Sequence, residues 1–354
     1  MPFSKDVIER ISIEVIKVLY KKFRDFPDDA SGNRNAPFHK AFLKAFSTTL
    51  EKNVSDIPFF ISLSSWLHGL NTTLGQSFFE RVGHILSNGE KREYTSKKLG
   101  NLNIDRRQKE IITTIITTLS NAIDNPNLDN EDLKLIVTET TENISALDFS
   151  ADIFIEDADK IIAIEMKSVR PNSGELRGEK QKILEGKAAL KYLYPNKKIL
   201  FFIGFSFDPT NSPIEPTGYD KRRFLASIIN MNKYFHENEV LLASELWNFL
   251  SGEQNTMEMI LDIINSIADV GFLKNYHFII NDQNRLITEE YKMKLIQWNL
   301  FSELELVDND SLIKNKIGND KRLQRIYNQL IFKEQKDFRI KYNFRRYNEL
   351  KQLI

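Results

Sequence analysis

Apolar and polar positions follow two rhythms along this chain. Over residues 4–24, Val7, Ile8, Ile11, Val15, Val18 and Leu19 recur near helical spacing, which predicts an amphipathic helix. The loop-forming run DFPDDASGNRNAP (25–37) follows, and a second helix is expected over 38–53. In LNTTLGQSFFERVGHILSNG, Asn71 or Thr72 can cap a helix that Gly89 closes. Residues 90–103 are polar and basic and read as a loop. Residues 104–123 and 130–142 read as helices separated by DNPNLDN.

The rhythm changes at residue 151. ADIFIE (151–156) and KIIAIEMKS (160–168) are strand-like, joined through the turn DADK (157–160). GELRGEKQKILEGKAALKYL (174–193) reads as a helix, and KKILFFIGFSF (197–207) as a strand apolar on both faces. After the loop DPTNSPIEPTGYD, helices are expected over 220–234, 242–250, 255–270 and 320–336. This order predicts an α/β core over 71–207. A helical N-terminal region, 1–70, precedes it, and a mainly helical C-terminal region, 208–354, follows it. No internal repeat or low-complexity segment interrupts the pattern.

The two adjacent strands are too close for anything but an antiparallel hairpin. With the turn centred on Ala158 and Asp159, Asp152 faces Glu165 and Ser150 faces Lys167. Alternation then puts Asp152, Phe154, Ala163, Glu165 and Lys167 on one face, and Ile153, Ile155, Ile162, Ile164 and Met166 on a core face. A bulge in either strand would break this register. Directly opposed Cβ atoms lie about 4.5–5.5 Å apart, so the two carboxylates repel unless a proton or a cation sits between them. Magnesium suits that place, because it takes hard oxygen ligands, commonly one or two carboxylates with water and substrate phosphate. Lys167 beside it would hold the attacking water and offset charge on a phosphate oxygen. Carboxylate pair, divalent metal and lysine together suit phosphodiester hydrolysis. Taken alone, a Glu-x-Lys at a strand end is more often a solvated edge. The opposed aspartate, the apolar strand leading in and the crossover helix leading out shift the balance toward chemistry.

Composition narrows the field. The chain has no cysteine, which excludes disulfides, thiolate chemistry and Cys-ligated zinc or iron–sulfur clusters. Its 49 basic and 49 acidic residues cancel, so any nucleic-acid surface must be a local patch. The N-terminal stretch has charges every few residues, unlike a signal peptide, and no 18-residue apolar run occurs elsewhere; a cytoplasmic soluble protein is expected.

Asp152, twelve residues, then Glu165-Met166-Lys167, within helix–strand–strand–helix–strand, resembles the PD-(D/E)xK nuclease superfamily. Ala151 stands where that pattern usually has proline. The longer strings HGLNTTLGQSFFERVGHILSNG, DFSADIFI, IEMKSVRPNSGELRGEKQKILEGKAAL and LLASELWNFLSGE look like the TdeIII family of type II restriction endonucleases. The resemblance implies a restriction-endonuclease-like α/β fold, a mixed sheet flanked by helices. It also implies a Mg2+-dependent enzyme, Mn2+ substituting, that cuts both strands of a short palindromic DNA site, of the GGNCC type, to leave 5′-phosphate ends. A homodimer and a cognate DNA methyltransferase go with it. By position, Asp152 and Glu165 would be metal ligands and Lys167 the water-positioning base or electrostatic stabiliser. Glu80, on the helix before the core, matches the place of an additional acid; a solvated helix position or a salt-bridge partner is its plainer role. Gln76, Glu80 and His84 share a helical face. Asp148 has the same parity as Asp152 and is the second-choice ligand.

DNA affinity needs lysines and arginines facing phosphates. Residues 90–109 hold seven basic against three acidic residues, and 321–351 hold ten against three, interleaved with Tyr327, Tyr342, Phe344 and Tyr347. The C-terminal run suits a DNA-facing arm as well as it suits a solvated terminal helix. RPNSGELR follows Lys167 immediately, so Arg170, Asn172, Ser173 and Arg177, with Lys180 beyond them, are the expected DNA contacts. Two rivals stay open at this point: a repair or junction-cleaving nuclease of the same superfamily, and a DNA-binding protein without catalysis.

Overall fold

The computed structural model describes residues 3–27, 57–137, 141–167, 174–281 and 288–354. The helix expected over 38–53 and the expected DNA contacts Arg170, Asn172 and Ser173 lie outside the described residues. The chain divides into two compact units, Met1–Phe78 with Leu261–Ile354, and Phe79–Ile260.

The first unit is mostly helical. Helix α1 (Lys5–Arg24) starts where the Ser4 side chain accepts the Val7 N–H, and it buries Ile11 and Ile16 completely. Helix α2 (Ile57–Thr73) runs into a π turn, Leu74–Phe78. Rings supply much of this core: Phe272 stacks on Trp298 at 5.2 Å, and Tyr20 meets Tyr276 at 4.5 Å. A buried polar group joins α1 to the C-terminal helices. Glu9 accepts from the Ser302 backbone N–H at 2.9 Å and its hydroxyl at 2.7 Å, and Arg346 pairs with Glu303. Arg346 belongs to the basic C-terminal run, yet it is buried on a carboxylate rather than presented to solvent. The helix expected over 320–336 ends at Tyr327, and Phe332–Glu334 instead pairs as a strand with Ile340–Tyr342.

The second unit carries α3 (Phe79–Ser87), β1 (Glu90–Tyr94), β2 (Asn103–Asp105), α4 (Arg106–Ser120), α5 (Leu128–Lys134), β3 (Asn143–Ser145), β4 (Phe149–Glu156), β5 (Lys160–Lys167), α6 (Leu176–Leu193), β6 (Lys198–Phe205), α7 (Lys221–Ser227), α8 (Met231–Tyr234), β7 (Val240–Leu242) and α9 (Ser244–Ser251). Five strands form one mixed sheet in the order β1-β4-β5-β6-β7. The pairs β1/β4 and β4/β5 are antiparallel, and β5/β6 and β6/β7 are parallel. The parallel step follows from α6, which crosses over between β5 and β6. Helix α6 packs on one face, where Gly186 leaves room for Phe149 and Phe201. Helices α3 and α9 cover the other, with Gly83 and Leu250 against Ile153 and Leu246 near Gly204. A sheet covered on both faces explains why β5 and β6 are apolar on both sides. It is the mixed, helix-flanked sheet of a restriction-endonuclease-like core.

Three expectations are corrected here. Residues 90–94 form an edge strand, not a loop. Its polar composition suits an edge, and it is held by Tyr94 on Phe149 at 5.0 Å and by the Arg92 guanidinium 4.0 Å over the Phe154 ring. The helix expected over 130–142 stops at Lys134, and Asn143–Ser145 pairs with Asn103–Asp105. The helix expected over 220–234 breaks between α7 and α8, where Asn230 takes a left-handed conformation with φ +67°.

Candidate active site

The hairpin register is as expected from Ile153 opposite Ile164 to Glu156 opposite Ile161. It does not continue unbroken to Asp152. Against β1, strand β4 advances three residues, Phe154 to Ala151, while β1 advances two, Glu90 to Arg92. Phe149 and Phe154, five positions apart, belong on opposite faces of an unbroken strand. Both nevertheless pack on Tyr94, with centroids at 5.0 and 6.4 Å. The irregularity of a bulge therefore lies where Asp152 stands.

Its consequence is local and chemical. The Asp152 Oδ2 atom accepts the Met166 backbone N–H at 2.9 Å, and Ser150, expected opposite Lys167, donates its hydroxyl to Glu165 Oε2 at 3.0 Å. His84 Nε2 lies 2.6 Å from the Asp152 carbonyl oxygen; a carbonyl only accepts, so this nitrogen carries the proton. Helix α3 thus ties down the backbone of the aspartate, and β5 ties down its side chain.

Glu165 Oε1 accepts from the Lys167 ammonium at 3.2 Å. Glu179, in the first turn of α6, takes the same ammonium at 3.0 Å. Lys167 is therefore clamped between two carboxylates supplied from the strand and the crossover helix. On the far side of Asp152, Lys91 of β1 donates to Oδ1 at 2.7 Å and lies 3.3 and 3.4 Å from the two Glu80 oxygens. A cavity of about 150 Å3 opens beside Glu165, with Glu93, Thr95, Asp148, Ser150 and Glu179 in its lining. Asp148 accepts from the Asn101 side-chain amide.

Burial, then the charge of Asp152, pushes the Glu165 carboxyl up to about 7. The same two causes, in the same order, raise Glu80. Burial works to lower the Lys167 ammonium, but the charges of Glu165 and Glu179 overcome it and the net shift is upward. Lys91 behaves likewise: burial opposes, and the Asp152 hydrogen bond and charge carry it upward. Titrating groups perturbed in this way cluster at functional sites.

Sequence reasoning named Asp152, Glu165, Lys167 and Glu80, and the fold gathers all four in this region. It missed two neighbours. Lys91 was counted only among basic residues of a loop, and Glu179 only as a charge balancing nearby lysines. Lys180, expected to face DNA, is fully buried, its ammonium 2.6 Å from both Glu131 and Glu239. Arg177 is exposed at the start of α6.

Residues 3–268 match the model of the HinfI family of type II restriction endonucleases. The chain belongs to that family. It is 46% identical over 351 residues to the type II restriction enzyme MjaII of Methanocaldococcus jannaschii, and the match covers 94% of each chain. No solved structure matches the chain significantly. The HinfI-family membership agrees with the PD-(D/E)xK pattern and makes this protein a type II site-specific deoxyribonuclease, with double-stranded DNA as substrate. The likeness to type II restriction endonucleases read from the sequence strings is thus met, with HinfI as the family whose model matches. Among the described residues, no helix is long and apolar enough to cross a membrane.

Enzymes of this class generally use divalent metal ions. Among the described residues, no three His, Asp or Glu side chains gather as a ready-made cage. Two carboxylates suffice for magnesium, which keeps several waters. Asp152 and Glu165 are hard oxygen donors, and Asp152 already draws the Lys91 cation to 2.7 Å. Each Asp152 oxygen accepts one hydrogen bond from the chain and retains a second lone pair. The donor set fits the ion.

Proposed function

We propose that this restriction endonuclease hydrolyses phosphodiester bonds of double-stranded DNA with Mg2+, Mn2+ substituting, at a short palindromic site of the GGNCC type. The water oxygen bonds to phosphorus, the bond to the 3′ oxygen breaks, the proton lost by water ends on that oxygen, and the products carry a 5′-phosphate and a 3′-hydroxyl. The observation that carries the reading is that Asp152, Glu165 and Lys167 lie on neighbouring strands, each held by a partner from another element. Asp152 and Glu165 would hold the ion. When bound, it supplies Lewis-acid neutralisation of charge at a phosphate oxygen. Lys167 keeps its ammonium form between Glu165 and Glu179, orients the attacking water and offsets negative charge at the phosphate. Glu80 acts at one remove, by holding Lys91 against Asp152. Arg177, exposed at the start of α6, would meet a DNA phosphate.

A palindromic site is matched by two copies related by two-fold symmetry, so the enzyme works as a homodimer. A cognate methyltransferase protects the cell's own sites in the cytoplasm. The test is digestion of plasmid and phage DNA with Mg2+. Discrete fragments whose ends share one motif support the reading. Smearing, cutting of branched DNA alone, or binding without cutting contradicts it.

A further inference from the structure

Glu80 and Asp152 reach the same point from different elements, α3 and β4, and the Lys91 ammonium of β1 stands between them. Its nitrogen lies 2.7 Å from Asp152 Oδ1 and 3.3 and 3.4 Å from the Glu80 oxygens. Three carboxylate oxygens around one cation is a coordination arrangement rather than a single surface pair. The two acids are mostly covered, with side chains 15% and 9% exposed, while Lys91 is 37% exposed. Without Lys91, two adjacent and largely desolvated carboxylates would face each other. Such a pair neutralises itself with a proton or a cation. Asp152 would be shared between that position and the Asp152–Glu165 position. Nucleases that use two ions have this kind of layout, with a carboxylate between positions about 3.5–4 Å apart.

We infer that Lys91 is a built-in cation filling the second cation position, so that each chain loads one divalent ion, on the Asp152–Glu165 side. This rests on the proposed roles of Asp152 and Glu165. The ammonium is tethered to the strand that pairs with β4, so it is present at high effective concentration and competes with free ions for the Glu80–Asp152 pair. Glu80 then serves as the second arm of the clamp on Lys91 and is a positioning residue, not a metal ligand.

The experiment counts bound Mn2+ on the full chain without DNA, from the loss of the free-ion EPR signal. The native chain is expected to bind one ion, Lys91→Met two, and Lys91→Met with Glu80→Gln one again. Lys91→Arg keeps the charge and should bind one. Glu80→Gln alone should also keep its single ion; if Lys91→Met does not fold, Lys91→Gln is counted in its place and should likewise bind two, and one ion there overturns the inference. The inference is overturned if folded Lys91→Met gains no ion, or if the native chain binds two and Glu80→Gln loses one. Glu165→Gln separates the two levels of the argument. An ion retained by that variant sinks the assignment of the Asp152–Glu165 site itself, and a native chain that binds none sinks both.

Discussion

Glu179 offers the most discriminating perturbation of the lysine. It takes the Lys167 ammonium at 3.0 Å, with the two side chains 12% and 22% exposed, so solvent screens the pair only partly. A hydrogen bond to a charged partner contributes about 1.5–3 kcal/mol, and a neutral one about 0.5–1.5 kcal/mol. Glu179→Gln keeps a carbonyl acceptor but removes the charge, a loss of about 1–1.5 kcal/mol. At about 1.4 kcal/mol per factor of ten, that is about a tenfold slower cleavage step. Glu179→Ala removes the whole interaction, for a loss of about 10–100-fold. The Lys167 ammonium would then rest on Glu165 alone and compete there with the metal. The assay is single-turnover cleavage of a plasmid at saturating Mg2+, which isolates chemistry from product release. DNA affinity should hold while the cleavage rate falls. Because the Glu179 charge helps to raise Lys167, its removal should also shift the alkaline limb of the rate profile to lower pH. A Glu179→Ala enzyme within about threefold of the native rate, with its alkaline limb unmoved, would refute the clamp.

Three further outcomes follow from packing and charge. Lys180→Met strands two buried acids, Glu131 and Glu239, and should cost about 3–5 kcal/mol in chemical denaturation, less at acid pH, where Glu131, already raised by burial, takes up a proton; a cost under about 1 kcal/mol would show that the triad contributes little. Glu9 is raised chiefly by burial, against the lowering effect of its Ser302 bonds. A carboxyl raised on folding adds stability that is complete below its unfolded pKa and lost as pH rises through the folded pKa. Glu9→Gln should therefore gain stability on the native chain as pH rises through that window, and a difference in melting temperature that stays constant with pH contradicts this. A Cβ on Gly83 would stand 2.3 Å from Ile153 Cδ1, so Gly83→Ala should cost about 1–3 kcal/mol, partly restored by Ile153→Val, which deletes that carbon; additive costs would place the strain elsewhere.

The β4–β5 hairpin was legible because its signals are local. Period-two alternation and a three-residue connection determine the pairing from Ile153–Ile164 outward, and the observed register follows it. The irregularity at Asp152 was not legible, since it depends on β1, sixty residues earlier, and β1 itself is too polar to be read as a strand. Charge runs were the least informative signal. Lys91, Lys180 and Arg346 all sit in stretches that suggest DNA contact, yet each is committed to carboxylates brought from elsewhere in the chain. Lys180 and its partner Glu239 are 59 positions apart, a pairing that spacing cannot reveal. Glu179 had a usable signal, an acid in the first turn of the helix that follows the Glu-x-Lys strand, where only a short connection separates it from Lys167.

Asp152, Glu165 and Lys167 are proposed to form the cutting site. That assignment is tested most directly by the double variant Glu165→Ala with Lys167→Ala. Plasmid cleavage is measured with Mg2+, and binding of a duplex carrying the native site is measured with Ca2+. Cleavage should be lost and binding largely retained. Discrete fragments from the double variant, cut at the native site, would contradict the assignment.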